Sequence, residues 1–252
     1  MIKLSAAIIT YNEEKNIQRC IESLLPVVDE IVVVDSLSAD RTVAIAESFG
    51  ATVISQKFLG HIQQKNLAIE KTSNDYVISL DADEALTPEL QQSVLNAKEN
   101  WQGEGYSFNR LTNYCGKWIK TCGWYPDVKL RLFEKGKGEW QGLNPHDEFR
   151  LFKTKPQHLK GDLLHYSFYT VEQHLKQIDY FSTIGAKALH EKGAKGSFLK
   201  MIINPISMFF KSYFLKKGIL DGKYGLLISW YSAGEKYKKY NKLRKLYKTS
   251  QS

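Results

Sequence analysis

Tyr76-Val77-Ile78-Ser79-Leu80-Asp81-Ala82-Asp83-Glu84 is an apolar run of strand length that ends in acids. Asp81 and Asp83 stand two positions apart where the run stops. In an extended chain that spacing puts both side chains on one face. Two like charges are costly there unless a divalent cation or a ring of donors offsets them. A hard cation held by one or two protein carboxylates still has positions free for diphosphate oxygens. The pattern suits a metal–nucleotide held at a strand end. The plainer alternative is a surface turn capping a helix that starts at Thr87-Pro88-Glu89.

The residues before this stretch repeat its logic. Leu4 to Ile9 is a short apolar run ending in Thr10-Tyr11-Asn12-Glu13-Glu14, and a helical face follows in Ile17, Cys20, Ile21, Leu24 and Leu25. Glu30-Ile31-Val32-Val33-Val34 is a second strand, ending at Asp35-Ser36. Val43, Ala44, Ala46 and Phe49 then form a helical face that Gly50 stops. Ala51 to Ile54 is a third strand and Ile62 to Ile69 a third helix, before the strand at 75–80. Strands alternating with helices predict right-handed βαβ units and a parallel sheet. Ligands of such sheets bind beyond the carboxyl ends of the strands. Thr10-Tyr11, Asp35 and Asp81/Asp83 all fall there.

Ile8-Ile9-Thr10-Tyr11-Asn12-Glu13-Glu14, Val32-Val33-Val34-Asp35-Ser36 and Leu80-Asp81-Ala82-Asp83-Glu84 together resemble the signature of family 2 glycosyltransferases. Those are inverting enzymes of the GT-A fold that use nucleotide-diphospho-sugars. Gly123 to Phe133, Pro145-His146-Asp147 and Leu164-His165-Tyr166-Ser167 resemble a narrower branch, the bacterial lipopolysaccharide core β-1,4-glucosyltransferases. The resemblance runs from about residue 3 to 240. It implies an α/β fold with a mostly parallel, Rossmann-like sheet and a C-terminal helical extension. The expected division is a catalytic domain over 1–192, with a nucleotide-sugar half (1–100) and an acceptor and metal half (101–192), followed by a basic amphipathic extension over 193–252.

The resemblance also implies roles. The donor would be a UDP-sugar, with Thr10 and Tyr11 lining the base pocket, Asp35 accepting the uracil imide N–H and Glu13 the ribose hydroxyls. Asp81-Ala82-Asp83 would face the donor, with Asp81 on the ribose or the metal shell and Asp83 on Mn²⁺ or Mg²⁺. His165 would complete the metal site. Lys65 and Asn66 could reach the diphosphate, although an amphipathic surface helix accounts for them too. Trp124, Tyr125 and Asp127 would lie beside donor sugar and acceptor. Inverting transfer needs a base to take the acceptor proton and positive charge to stabilise the leaving diphosphate. The base is placed at Asp147, one methylene shorter than the glutamate of the family motif, with the neighbouring Glu148 as the alternative.

Composition fits a cytoplasmic enzyme. The chain of 252 residues is long enough for a substantial core. Cys20, Cys115 and Cys122 are odd in number, which speaks against a disulfide framework and for a reducing compartment. No basic leader with an apolar core opens the sequence, and no run of 18 apolar residues occurs. The expectation is a protein that neither spans a membrane nor is exported, peripheral on the inner face of the cytoplasmic membrane.

The net charge of +8 is unevenly distributed. Residues 1–100 carry 8 Lys/Arg against 15 Asp/Glu, and residues 101–252 carry 27 against 12. From Gly193 onward 13 basic residues face 2 acids. There an apolar stretch, Phe198 to Leu215, is interrupted by lysines, with Asn204-Pro205 breaking the apolar run. A later stretch sets Tyr237, Tyr240, Leu243 and Tyr247 at helical spacing among lysines. Basic amphipathic helices with aromatic faces suit an anionic lipid surface. The plainer alternative is that they pack on the catalytic domain with their lysines solvated. A lipid-linked saccharide or lipopolysaccharide acceptor agrees with membrane docking, and no motif supports nucleic-acid binding. Trp118, Trp124, Tyr125 and Trp140 offer flat faces that suit sugar rings, though such residues are also ordinary core.

Two other functions fit less well. A sugar-nucleotide nucleotidyltransferase usually opens with a Gly-rich loop, and Thr10 to Glu14 contains no glycine. A non-catalytic membrane-surface scaffold with a decayed nucleotide site would have lost a carboxylate, and none is missing.

Overall fold

A computed structural model describes residues 1–143 and 146–249. Pro145 of the Pro145-His146-Asp147 motif lies outside the described residues. The strand–helix alternation is observed as expected: β1 (Leu4–Thr10), α1 (Ile17–Leu24), β2 (Glu30–Asp35), α2 (Thr42–Ser48), β3 (Thr52–Ser55), α3 (His61–Glu70) and β4 (Tyr76–Asp81). Then follow β5 (Glu84–Leu86), α4 (Pro88–Glu99), β6 (Gly105–Tyr114), β7 (Lys117–Ile119), β8 (Asp127–Glu134), β9 (Gly138–Leu143), β10 (His146–Leu151) and β11 (Gln157–Phe168).

The main sheet has the order β3-β2-β1-β4-β8-β6-β11-β5, with β7 beside β6. β1 to β4 are parallel neighbours, and β8 joins β4 antiparallel. This α/β sheet, parallel from β3 to β4 with an antiparallel continuation, is the GT-A arrangement. The register matters for function: Thr10 lies opposite Asp35, and Ile9 opposite Asp81, so three candidate residues end their strands together.

Both faces of the parallel half are covered, which explains its almost continuous apolar runs. Leu4, Ala6, Ile8, Val33 and Leu80 pack under Ile17, Ile21 and Leu24 of α1 and Leu90 and Val94 of α4. The alternate residues Ala7, Val34 and Val77 face Ala68 and Ile69 of α3 together with Phe133, Trp140 and Phe149. β9 and β10 form a separate two-stranded sheet on this second face, where Phe149 stacks on Phe133 at 3.6 Å.

The chain divides into two compact units, one of residues 1–111 with 127–166, the other of 112–126 with the chain from 167 onward. The second therefore gathers α5 (Val171–Glu191) with α6 (Phe198–Phe210) and α7 (Gly222–Thr249), and takes in the loop before Asp127. That division differs from the expected one at 192/193. The core of this unit is Tyr114, Ile119, Cys122, Phe168 and Ile228, with Trp124 packed against it. His174 joins it through Nδ1, 3.0 Å from the Tyr114 hydroxyl.

Two features of this region could not be read from the sequence. α6 runs straight through Pro205, followed by a π-helical turn at Lys211–Leu215. Proline removes one helical hydrogen bond, but the flanking turns are held against α7 and the helix continues. The lysines of α7 also do more than meet solvent. Lys238 and Lys242 pair with Asp179 of α5 at 3.5 and 2.9 Å, and Lys242 also donates to Ser182 Oγ and Thr183 Oγ1. These lysines brace α5 against α7.

One close approach fixes α4 in the first unit. Gly161 of β11 has φ +94°, and a Cβ there would lie 2.4 Å from the Leu90 backbone nitrogen. The neighbouring Thr87 donates its N–H and hydroxyl to the Asp162 carbonyl at 3.2 and 2.9 Å. Gly161→Ala combines a left-handed φ with a backbone clash, and should destabilise the protein by about 2–4 kcal/mol. Chemical denaturation would measure this; a loss below about 0.5 kcal/mol would mean that the contact yields freely.

Candidate active site

Three strand ends and two loops assemble the candidate site in the first unit. Asn12, with φ 52°, turns the chain after β1, and its Oδ1 accepts the Ala39 N–H at 2.8 Å. Asn tolerates the left-handed region better than most residues. Its N–H reaches Ser38 Oγ at 2.8 Å, so the loops after β1 and β2 are tied together. Asp35 is buried and accepts from the Ser38 N–H and hydroxyl at 2.9 and 2.5 Å. Thr10 is buried, with a hydroxyl that has no hydrogen-bond partner among the described residues, whereas Tyr11 is exposed.

Asp81 and Asp83 meet different partners. β4 ends at Asp81 and the chain turns at Ala82-Asp83, so the two-residue alternation of a strand no longer applies. Asp81 is offset by cations: Lys65 Nζ lies 3.1 Å from its carboxylate and Arg131 Nη2 3.2 Å. Burial pushes the Asp81 carboxyl up, but Lys65 and Arg131 outweigh it and hold the group well below the usual carboxylate range. Asp83 instead meets His165, with Nε2 3.2 Å from Oδ2. Burial raises the Asp83 carboxyl and the imidazole more than reverses that. β11 sets this geometry, because the Tyr166 N–H donates to the Asp83 carbonyl at 2.9 Å and His165 pairs with Glu84 in register.

Lys65 is almost inaccessible and bridges Asp81 to Asp147, whose Oδ2 is 2.7 Å away. It is thus occupied by carboxylates, and its ammonium also lies 4.3 Å from the Trp140 ring centre. Asn66 exchanges hydrogen bonds with the Trp140 backbone, both at 3.2 Å. Asp147 and Glu148 alternate on β10, so they point to opposite sides. Asp147 joins the Lys65 cluster, while Glu148 is exposed and pairs with Arg150.

Asp127 accepts from Arg110 Nε at 3.0 Å and pairs with Lys129 at 3.0 Å. Trp124 and Tyr125 belong to the second unit. There Trp124 is half-buried against Tyr114, Phe168 and His174, as packing rather than as an open platform. Trp140 is buried, with Arg131 and Lys65 over its ring.

The profile of Glycosyl transferase family 2 matches residues 5–158, which hold this whole cluster except His165. The chain belongs to glycosyl transferase family 2. An uncharacterized glycosyltransferase of Rickettsia bellii (strain RML369-C) is 32% identical over 97% of this chain and 87% of its own length. A lipopolysaccharide core biosynthesis glycosyltransferase, LpsC, of Rhizobium meliloti (strain 1021) is 27% identical over 95% of this chain and 93% of its own. A solved structure, glucosyl-3-phosphoglycerate synthase from Mycobacterium tuberculosis with Mn²⁺, UDP and glucosyl-3-phosphoglycerate, aligns at 25% identity and a TM-score of 0.38. That alignment covers 44% of each chain, so this chain spans less than half of that structure's length.

This family 2 glycosyltransferase carries two site residues that sequence reading passed over. Glu84, fully buried, accepts the Asp81 N–H at 3.0 Å and pairs with Arg131 at 2.9 Å and Arg110 at 3.3 Å. Arg131 is buried, and its Nε and Nη1 have no hydrogen-bond partner among the described residues. In Val128-Lys129-Leu130-Arg131-Leu132-Phe133 the charges alternate with apolar residues, which reads as a half-solvated strand. The signal was therefore ambiguous.

Glu13 is half-buried, with its Oε2 accepting from Asn16 Nδ2 at 2.6 Å. Burial, with the charges of Asp83 and Asp40 adding to it, pushes its pKa from an ordinary 4.5 to about 7. A folded-state pKa raised in this way contributes stability that is complete below pH 4.5 and lost as pH rises through about 7. Glu13→Gln keeps the acceptor and removes the titration. The melting temperature of the wild type should fall relative to that of Glu13→Gln between pH 4.5 and 8. Parallel melting profiles would show that Glu13 titrates normally.

Proposed function

We propose that this glycosyltransferase inverts the anomeric centre of a UDP-hexose, glucose in the first instance, and transfers it to a saccharide of lipopolysaccharide core or another lipid-linked envelope glycan. The observation that carries the reading is the register of Thr10, Asp35 and Asp81 at three adjacent strand ends, with Asp83 paired to His165 beside them. The likeness to LpsC over nearly the whole chain supports the acceptor class. The partners in this reading are the UDP-sugar, the lipid-linked acceptor and an anionic membrane surface, on the cytoplasmic side. No helix among the described residues is long and apolar enough to cross a membrane.

Asp83 and His165 fit a divalent cation. Their 3.2 Å approach brings a carboxylate oxygen and an imidazole nitrogen together. Among the described residues no group of three or more His, Cys, Asp or Glu is placed to hold a metal, so diphosphate oxygens and water would fill the remaining positions. Asp83 and His165 would hold Mn²⁺ or Mg²⁺, whose charge would offset that of a departing diphosphate. Thr10 and Tyr11 would line the uracil, with Asp35 accepting its imide N–H and Glu13 the ribose hydroxyls. Asp127 would border the sugars.

Asp147 is the proposed base. Its carboxylate shares Lys65 with Asp81, whereas Glu148 turns away to Arg150. On taking the acceptor proton, Asp147 would lose its charge while Lys65 kept its pair with Asp81.

Two substitutions test the reading. Asp83→Asn should abolish transfer and reduce UDP affinity to the metal-free level with the melting temperature little changed, since one hard anionic ligand is lost. Retained turnover at ordinary metal concentrations would remove Asp83 from the chemistry. Asp147→Asn should lower turnover about 10²–10⁴-fold with UDP affinity nearly unchanged, and Glu148→Gln should have little effect. The opposite pattern would move the base to Glu148.

A further inference from the structure

α6 presents a continuous apolar stripe to solvent. Phe198, Leu199, Ile202, Ile203, Ile206 and Phe210 recur at one- and four-residue steps and are 40–65% exposed. Phe214, Leu215, Ile219 and Leu220 extend the stripe at 50–77% exposure. Ten large apolar side chains within 23 residues are thus more than a third exposed. Met201, on the other side of the helix, is buried. The surface also reaches α7, where Trp230 is 65% exposed with its ring 6.3 Å from Phe209.

The charge around the stripe has a single sign. Lys200, Lys211, Lys216 and Lys217 are exposed, and no acid occurs between residues 198 and 220. Among the described residues none of these four forms an ion pair. The α7 lysines differ, because Lys238 and Lys242 are engaged by Asp179. At 13 residues α6 is about 20 Å long, too short for a hydrocarbon core of about 30 Å. An apolar face flanked by cations on a short helix suits the plane of a membrane interface. Two copies of this chain meeting through the stripe would set lysine against lysine, which opposes self-association.

We propose that α6 and the turn after it form an interfacial anchor that binds an anionic lipid bilayer, inserting the stripe while Lys200, Lys211, Lys216 and Lys217 meet acidic headgroups. This rests on the membrane partner in the reading above and assigns it to a surface other than the α7 lysines.

The full chain is sedimented with phosphatidylglycerol-containing and pure phosphatidylcholine vesicles at low and high salt, with melting temperature and UDP release from a UDP-sugar read in parallel. Binding is expected on the anionic vesicles and weakens as salt rises. The double variant Lys211→Gln/Lys216→Gln should bind about 30-fold more weakly at low salt, at about 1 kcal/mol per lysine. Ile203→Asp/Phe210→Asp should abolish binding, and Lys245→Gln/Lys248→Gln should preserve it, all with unchanged melting and UDP release. Vesicle binding that survives both α6 variants, or is lost only with the α7 variant, overturns the assignment. A wild type that ignores anionic vesicles but forms dimers broken by Ile203→Asp/Phe210→Asp overturns it too, and makes the stripe an interface between copies. A protein that binds vesicles as described but releases no UDP supports the anchor and overturns the transfer reading alone.

Discussion

Lys65 and Arg131, both removed from solvent, neutralise carboxylates contributed by three elements: Asp81 at the end of β4, Glu84 in β5 and Asp147 in β10. Burying an ion is expensive, and mutual attraction repays it only where every partner is in place. Breaking one buried pair typically costs about 3–5 kcal/mol, because the remaining charge is stranded. The site is therefore set by compensation. Glu84 holds Arg131 and the Asp81 backbone together, Arg110 links Glu84 to Asp127, and Lys65 links Asp81 to Asp147. With Asp81 absorbed in this network, Asp83 is left to His165. The two acids of one short motif thereby acquire different environments.

What was legible in the sequence was whatever depends on local periodicity. The four parallel strands and their helices follow from apolar runs and the polar residues that punctuate them, and the candidate residues fall at the strand ends because the runs stop there. The Asp81/Asp83 spacing was read as strand alternation, but β4 ends at Asp81 and the chain turns there, and each acid meets partners of its own. Arg131 escaped notice for a related reason. Its strand alternates charge with apolar residues, and nothing local tells whether the charged side meets water or a buried carboxylate. Pro205 shows tertiary packing overriding a local breaker.

The tail shows how a single composition can serve two purposes. Its many lysines read as one basic surface, yet Lys238 and Lys242 of α7 pair with Asp179 of α5 while Lys200, Lys211, Lys216 and Lys217 around α6 remain exposed. Asp179 lies some sixty residues away in sequence, on the exposed side of α5. Pairings of that range leave no trace in spacing. An excess of charge therefore identifies a surface only once its opposite partners have been located.

The placement of Asp147 illustrates the same dependence on distant partners. β9 and β10 pair with each other outside the main sheet, so the main-sheet ladder does not set their position. Side chains do that instead: Phe149 stacks on Phe133, Asn66 grips the Trp140 backbone from both directions, and Lys65 holds Asp147. Two adjacent residues of α3 thus secure the hairpin, and α3 itself packs on the strands whose ends carry Thr10 and Asp35. The distance between the proposed base and the strand ends that carry Thr10 and Asp35 is transmitted through that helix. A change at Asn66 would shift Asp147 although it touches no reacting group, because among the described residues no ladder joins the hairpin to the main sheet to restore its position.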